Sequence, residues 1–151
     1  MVFLIVTAAT IFGRFMAVTR IPSELGAWVG GLPFPPYVIM GFIIFGYLIG
    51  GCFMDSLALI TLTIPILYPL VLSLGFDSIW FGVIIVLVAE MGVITPPVGI
   101  NVYVIKGVAP DVPLETIFKG IFPFLGAIIV CVAILIAFPQ IALFLPSFMM
   151  W

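Results

Sequence analysis

Between Glu24 and Asp77 the chain carries a single charge, Asp55. On either side of it lie two uncharged apolar stretches, the 18 residues 37–54 and the 21 residues 56–76. Each is close to the length of helix that crosses the hydrocarbon core of a bilayer. Composition excludes the soluble alternative. Of 151 residues, 66% are hydrophobic and 7% charged, against about half and about a quarter in soluble domains. A globule of this size would have to cover its surface with the excess. The chain therefore reads as an all-α polytopic membrane protein.

The junction at Asp55 allows two readings. The flanking helices are two full crossings joined by a tight turn, or two half-crossings meeting inside the membrane. A headgroup-region loop usually carries several polar or basic residues, and this one has only Asp55 and Ser56, after Gly50 and Gly51. That favours a re-entrant helical hairpin over 37–72 with its tip at 50–56, a form allowed only where protein or water meets the open backbone.

Elsewhere the pattern is similar. Residues 1–18 read as a transmembrane helix. The apolar run 2–10 precedes Arg14, whereas a secretory signal places its positive charge first. A start in mid-helix suggests a truncated chain. Gly26, Gly30, Gly31, Pro33, Pro35 and Pro36 predict an irregular connector, with Trp28 at interfacial depth. After the turn at Gly75-Phe76-Asp77-Ser78, Asp77 or Ser78 is placed to cap a helix starting near Ile79. Trp80 and Phe81 are expected at an interface. That helix reaches Pro96-Pro97 about 15 residues on, at mid-membrane depth. Two adjacent prolines remove two backbone donors and push Thr95 out of helical geometry. A broken helix is thus predicted over 79–109. Residues 114–119 read as a short interfacial segment, and 120–146 as a last transmembrane helix containing Pro123 and Pro139. Positive charges do not orient the chain, because Arg14 and Arg20 fall on one side and Lys106 and Lys119 on the other.

Few residues are available for chemistry. The net charge is −2 and no basic run exists to hold phosphates, so nucleic acid is excluded as a partner. Without histidine the chain lacks the commonest general base and transition-metal ligand. Cys52 and Cys131 lie in apolar segments and read as small buried hydrophobes, not as a disulfide or metal site. Asp55 and Glu90 are the acids expected within the membrane, where a carboxylate needs a partner, water or a cation. Asp55 suits a cation site, or alternatively a wet loop or a helix cap. Glu90 faces a cavity, or bonds to a neighbouring helix. The break Thr95-Pro96-Pro97-Val98-Gly99-Ile100-Asn101 frees backbone carbonyls beside the Thr95 hydroxyl and the Asn101 amide, oxygens that suit an alkali cation. The new helix N-terminus beyond it suits an anion. The alternative is a packing kink. Ser56, Thr61 and Thr63 line the second hairpin arm, where hydroxyls mostly bond to their own backbone.

Several spaced motifs agree in order with one family. Gly51-Cys52-Phe53-Met54-Asp55, Pro65-Ile66, Pro69, Gly75-Phe76-Asp77, Trp80-Phe81-Gly82, the break itself, Pro123-Phe124-Leu125 and the ending with Phe138-Pro139 and Leu145-Pro146 resemble the large permease subunit of tripartite ATP-independent periplasmic (TRAP) transporters. The resemblance implies the second repeat of an elevator-type, sodium-driven importer of organic acids such as C4-dicarboxylates or sialic acid. It implies a bacterial or archaeal inner membrane, a small membrane subunit and a periplasmic substrate-binding protein as partners, and Na⁺ as coupling ion with no other cofactor. Carried over position by position, Gly51, Asp55, Ser56, Thr95, Gly99 and Asn101 would bind the cation, and Glu90, Thr95, Pro96 and Pro97 would face substrate. The family's chain is far longer. This one corresponds to roughly its last third and lacks the first repeat, so it is not expected to transport without the missing N-terminal half.

Two other classes fit less well. An intramembrane aspartyl protease needs two facing carboxylates that share a proton, and the expected glycine–aspartate contexts are missing. A membrane scaffold explains the composition but not two breaks at mid-depth. No enzyme activity is expected.

Overall fold

The computed structural model describes residues 2–31, 33–96 and 99–149. Among them the regular structure is helical throughout: α1 (Val2–Thr19), α2 (Ile21–Gly30), α3 (Pro36–Phe53), α4 (Ser56–Ser73), α5 (Ser78–Ile94), α6 (Ile100–Val108), α7 (Leu114–Ala137) and α8 (Gln140–Met149). Four of these, α1, α3, α4 and α7, are long and apolar enough to cross a membrane.

The centre of the fold is α5, against which α3, α4, α6, α7 and α8 all pack. Its Ile84, Val88 and Ala89 are wholly buried. Met40, Ile43 and Tyr47 of α3, Leu59, Leu70 and Val71 of α4, and Val132 and Leu135 of α7 complete the core. Most other large side chains face outward, including Phe3, Phe42, Phe45, Val104 and Phe124. Such a surface suits lipid or further protein, and the chain is a membrane protein.

The helices α3 and α4 form an antiparallel hairpin around Met54 and Asp55. A Tyr47–Thr63 hydroxyl pair and the close approach of Leu59 to Gly50 join its arms near the tip. At the far end α4 closes in a Schellman turn, in which Phe76 N–H donates to Val71 O (3.2 Å) and Gly75 N–H to Leu72 O (3.0 Å). The Asp77 carboxylate then caps α5 by accepting from Ile79 N (2.7 Å) and Trp80 N (3.2 Å). Pro65 and Pro69 lie inside α4 without ending it. Gly13 of α1 and Pro22 of α2 lie beside them.

Five expectations from sequence are corrected. The glycine-rich connector contains a helix, α2, because Pro22 occupies its first turn, where the missing N–H costs nothing. The prolines at 33, 35 and 36 come only after it ends. Residues 114–119 are the first turns of α7, not a separate segment, and the last span divides at Phe138-Pro139 into α7 and α8. Trp80 and Phe81, expected as interfacial anchors, turn their rings into the protein core, 2% and 1% exposed. The reason is shared with the α7–α8 break. A continuous helix would donate the N–H of residue 139 to Leu135 O, and proline has none. The Trp80 indole N–H fills that vacancy, donating to Leu135 O at 2.8 Å. Finally, both cysteines are free, but only Cys52 is buried, and Cys131 is exposed on α7.

Candidate functional site

The hairpin tip comes to rest beside the end of α5. Gly51 and Gly92 meet backbone to backbone there. A Cβ on Gly92 would lie 2.7 Å from Gly51 Cα and 3.0 Å from Leu48 O. A Cβ on Gly51 would lie 2.9 Å from Gly92 Cα and 3.0 Å from Ala89 O. No side chain fits at either position without moving a helix backbone. Two residues before Gly92 on α5, Glu90 Oε1 accepts the Ser56 hydroxyl at 2.7 Å. The Cys52 thiol donates to Leu48 O at 3.2 Å and lies 3.9 Å from Pro96 O.

Helix α5 stops at Ile94. Its cap residue Thr95 is extended, as a residue before proline must be, and its N–H donates to Gly92 O at 3.0 Å. The Thr95 hydroxyl proton goes to Met91 O (2.5 Å), which leaves its oxygen lone pairs open. Gly99 starts α6 from the left-handed region, φ 55°, which a side chain would disfavour. The Thr95 and Ile94 carbonyl oxygens lie 3.4 and 3.5 Å from where its Cβ would stand. Backbone oxygens are thus gathered at the break, next to the tip. An apolar cleft of about 310 Å³ opens between them, lined by Leu48, Ile49, Cys52, Phe53, Thr95 and Pro96.

Of the residues singled out from sequence, Gly51, Ser56, Glu90, Thr95, Pro96 and Gly99 are gathered around this junction. Asp55 stands at the tip and caps α4, one carboxylate oxygen accepting from Leu57 N at 3.1 Å. Asn101 is exposed in the first turn of α6 and has no side-chain hydrogen bond among the described residues. Pro97 lies outside the described residues. Asp55 and Glu90 have different partners and share no hydrogen bond among the described residues. Thr61 and Thr63 bond to their own helix, to Leu57 O and Leu59 O, each at 2.7 Å.

Sequence reasoning missed the role of Gly92 as the partner of Gly51. The signal was present only as a glycine in an otherwise bulky apolar helix, with nothing local to say which backbone it admits.

A family model described as "Tripartite ATP-independent periplasmic transporter, DctM component" matches residues 1–141. The chain belongs to this family. It is 34% identical over 144 residues to the sialic acid TRAP transporter large permease protein SiaM of Vibrio cholerae, covering 95% of this chain and 34% of that relative. The C4-dicarboxylate TRAP transporter large permease protein DctM of Pseudomonas aeruginosa is 32% identical over 149 residues, 99% of this chain and 35% of its own. The isethionate TRAP transporter permease protein DctMQ of Oleidesulfovibrio alaskensis is 35% identical over 144 residues, 95% of this chain and 22% of its own. The chain spans about a third of the length of the large permeases it matches.

Proposed function

We propose that this DctM-family chain is the C-terminal part of a sodium-coupled secondary transporter that imports organic acids across a bacterial or archaeal inner membrane. The observation that carries the reading is the meeting of hairpin tip and broken helix. One junction offers a carboxylate, hydroxyls and free carbonyls in an apolar surround, and such oxygens suit a hard cation. The cation ligands are drawn from Asp55, Ser56, Thr95 and Asn101 with the backbone of Gly51 and Gly99. Glu90, Thr95, Pro96 and Pro97 form one wall of the substrate site, and the N-terminus of α6 favours an anionic group there. The cap that Asp55 makes to α4 uses one of its oxygens and leaves the other for a cation.

The near absence of polar residues at the tip and its contact with the broken helix support the re-entrant form, and with it the second repeat of an elevator-type core. The tip meets α5 at Gly92, two residues before that helix ends at Ile94. The names of the relatives point to C4-dicarboxylates, sialic acid or isethionate as the class of cargo. A small membrane subunit and a periplasmic binding protein are the expected partners. The chain alone does not transport, because the permease segment that would face its half-site is not within it.

The test is cation-specific protection in detergent. At sodium tenfold above its Kd the folded state gains about 1.4 kcal/mol, so NaCl should raise the melting temperature and slow proteolysis where KCl does not. Asp55→Asn should abolish the difference. Equal behaviour in the two salts would remove sodium coupling and leave a membrane scaffold as the better account.

A further inference from the structure

The contacts between tip and α5 are of two independent kinds, and both come from one turn of α5. Gly92 admits the Gly51 backbone so closely that a methyl added to either glycine would strike the main chain of the other helix. Glu90 accepts the Ser56 hydroxyl at 2.7 Å from the start of α4, on the other side of the tip. The two arms are themselves joined by the Tyr47–Thr63 pair. A tip held at both of its ends cannot slide along α5 without breaking the glycine contact, the hydroxyl–carboxylate bond or both.

The geometry points to Gly92 and Glu90 as positioning residues that seat the hairpin tip on the α5–α6 break, so that cation binding across the junction and seating of the tip are one event. This rests on the sodium-site reading above and adds to it. The proposed ligands come from two separate segments, the tip and the break, and their spacing is fixed by residues of α5 that need not touch the ion. Glu90, placed above on the substrate wall, acts here through Ser56. Lifting the tip would separate Gly51, Asp55 and Ser56 from Thr95 and Gly99, and a bound cation would in turn oppose the lifting.

Cys52 reports on the seat. It is 5% exposed, adjoins Gly51 and lies against Pro96 at the junction. Its alkylation by a small maleimide can be followed in native membranes, in a Cys131→Ala background. Gly92→Ala should speed alkylation about tenfold, the change expected for a local opening easier by ~1.4 kcal/mol. Gly82→Ala makes the same change in the same helix where an added Cβ meets nothing within 4 Å, and should leave the rate unaltered. Sodium should slow the reaction in the parent protein and lose that effect in Gly92→Ala. If Gly92→Ala does not accumulate, Glu90→Leu removes the acceptor of Ser56 without crowding the glycines and should give the same acceleration. Equal rates for Gly92→Ala and Gly82→Ala would overturn the seat. Sodium slowing both the parent and Gly92→Ala alike would overturn the link between seat and ion while leaving the sodium site standing. A faster Gly92→Ala reaction with no sodium effect on the parent would instead sink the sodium reading and the link together.

Discussion

The two ends of the α3–α4 hairpin are built from opposite materials. At the base, Tyr37 meets Phe76 edge to face and Phe76 stacks on Trp80, with ring centroids 5.4 and 5.2 Å apart, and Trp80 reaches across to Leu135 O. At the tip, two glycines bring backbones together, and the groups around them are hydroxyls, carboxylates and carbonyl oxygens. Aromatic packing fixes an element through large buried area. Glycine contact fixes it through distance alone and leaves polar atoms uncovered. The base is therefore suited to hold the hairpin, and the tip to bind something.

If that division is right, damage at the base should lower stability without altering the response to sodium. Trp80→Ala should have the largest effect, about 3–5 kcal/mol as for other buried aromatic truncations. Melting curves in NaCl and KCl should both move down, with the gap between them preserved. Collapse of the gap at equal fold content would show that the two ends are not separable. Trp80→Phe keeps most of the packing but leaves Leu135 O without its donor, a loss of about 1–3 kcal/mol.

The two aspartate caps sharpen the comparison, since they do the same local work at opposite ends. Asp77→Ala at the base should cost about 0.5–2 kcal/mol of helix capping and leave the sodium response intact. Asp55→Asn keeps a good capping side chain, so its stability in KCl should change by only a few tenths of a kcal/mol. Its sodium response should nevertheless disappear. A normal sodium response in Asp55→Asn would reduce Asp55 to a cap, the alternative already open in the sequence.

Much of this architecture was legible because its causes are local. Long apolar runs marked α1, α3 and α4, the last two without a single charge, Pro96-Pro97 marked the end of α5, and Asp77 before Ser78 marked its start. What could not be read depends on partners distant in sequence. Trp80 looks like an interfacial anchor until Leu135, 55 residues away, supplies an orphan carbonyl made by Pro139. The helix α2 was hidden by glycines whose cost is offset by Pro22 in its first turn and by packing on α4. The junction was half legible. Its polar residues were named from charge cost and proline chemistry, but Gly92 was not, because a glycine announces that something approaches and not what.

A small effect, the same in both salts, should come from the link between the two hairpin arms. Tyr47 and Thr63 pair through their hydroxyls on either side of the tip, and Thr63 also bonds to Leu59 O. Tyr47→Phe removes one hydroxyl from a buried contact while the ring keeps its packing. Thr63 retains its backbone acceptor, so no polar group is stranded. The cost should be about 1 kcal/mol, near the net worth of one hydrogen bond, measured as a small fall in melting temperature in both salts. The same change should have little effect on Cys52 alkylation, because the tip would still be held by Gly92 and Glu90. A large rise in Cys52 reactivity in Tyr47→Phe would mean that the arms, and not α5, hold the tip in place. The division between a structural base and a seated tip would then have to be redrawn at Tyr47.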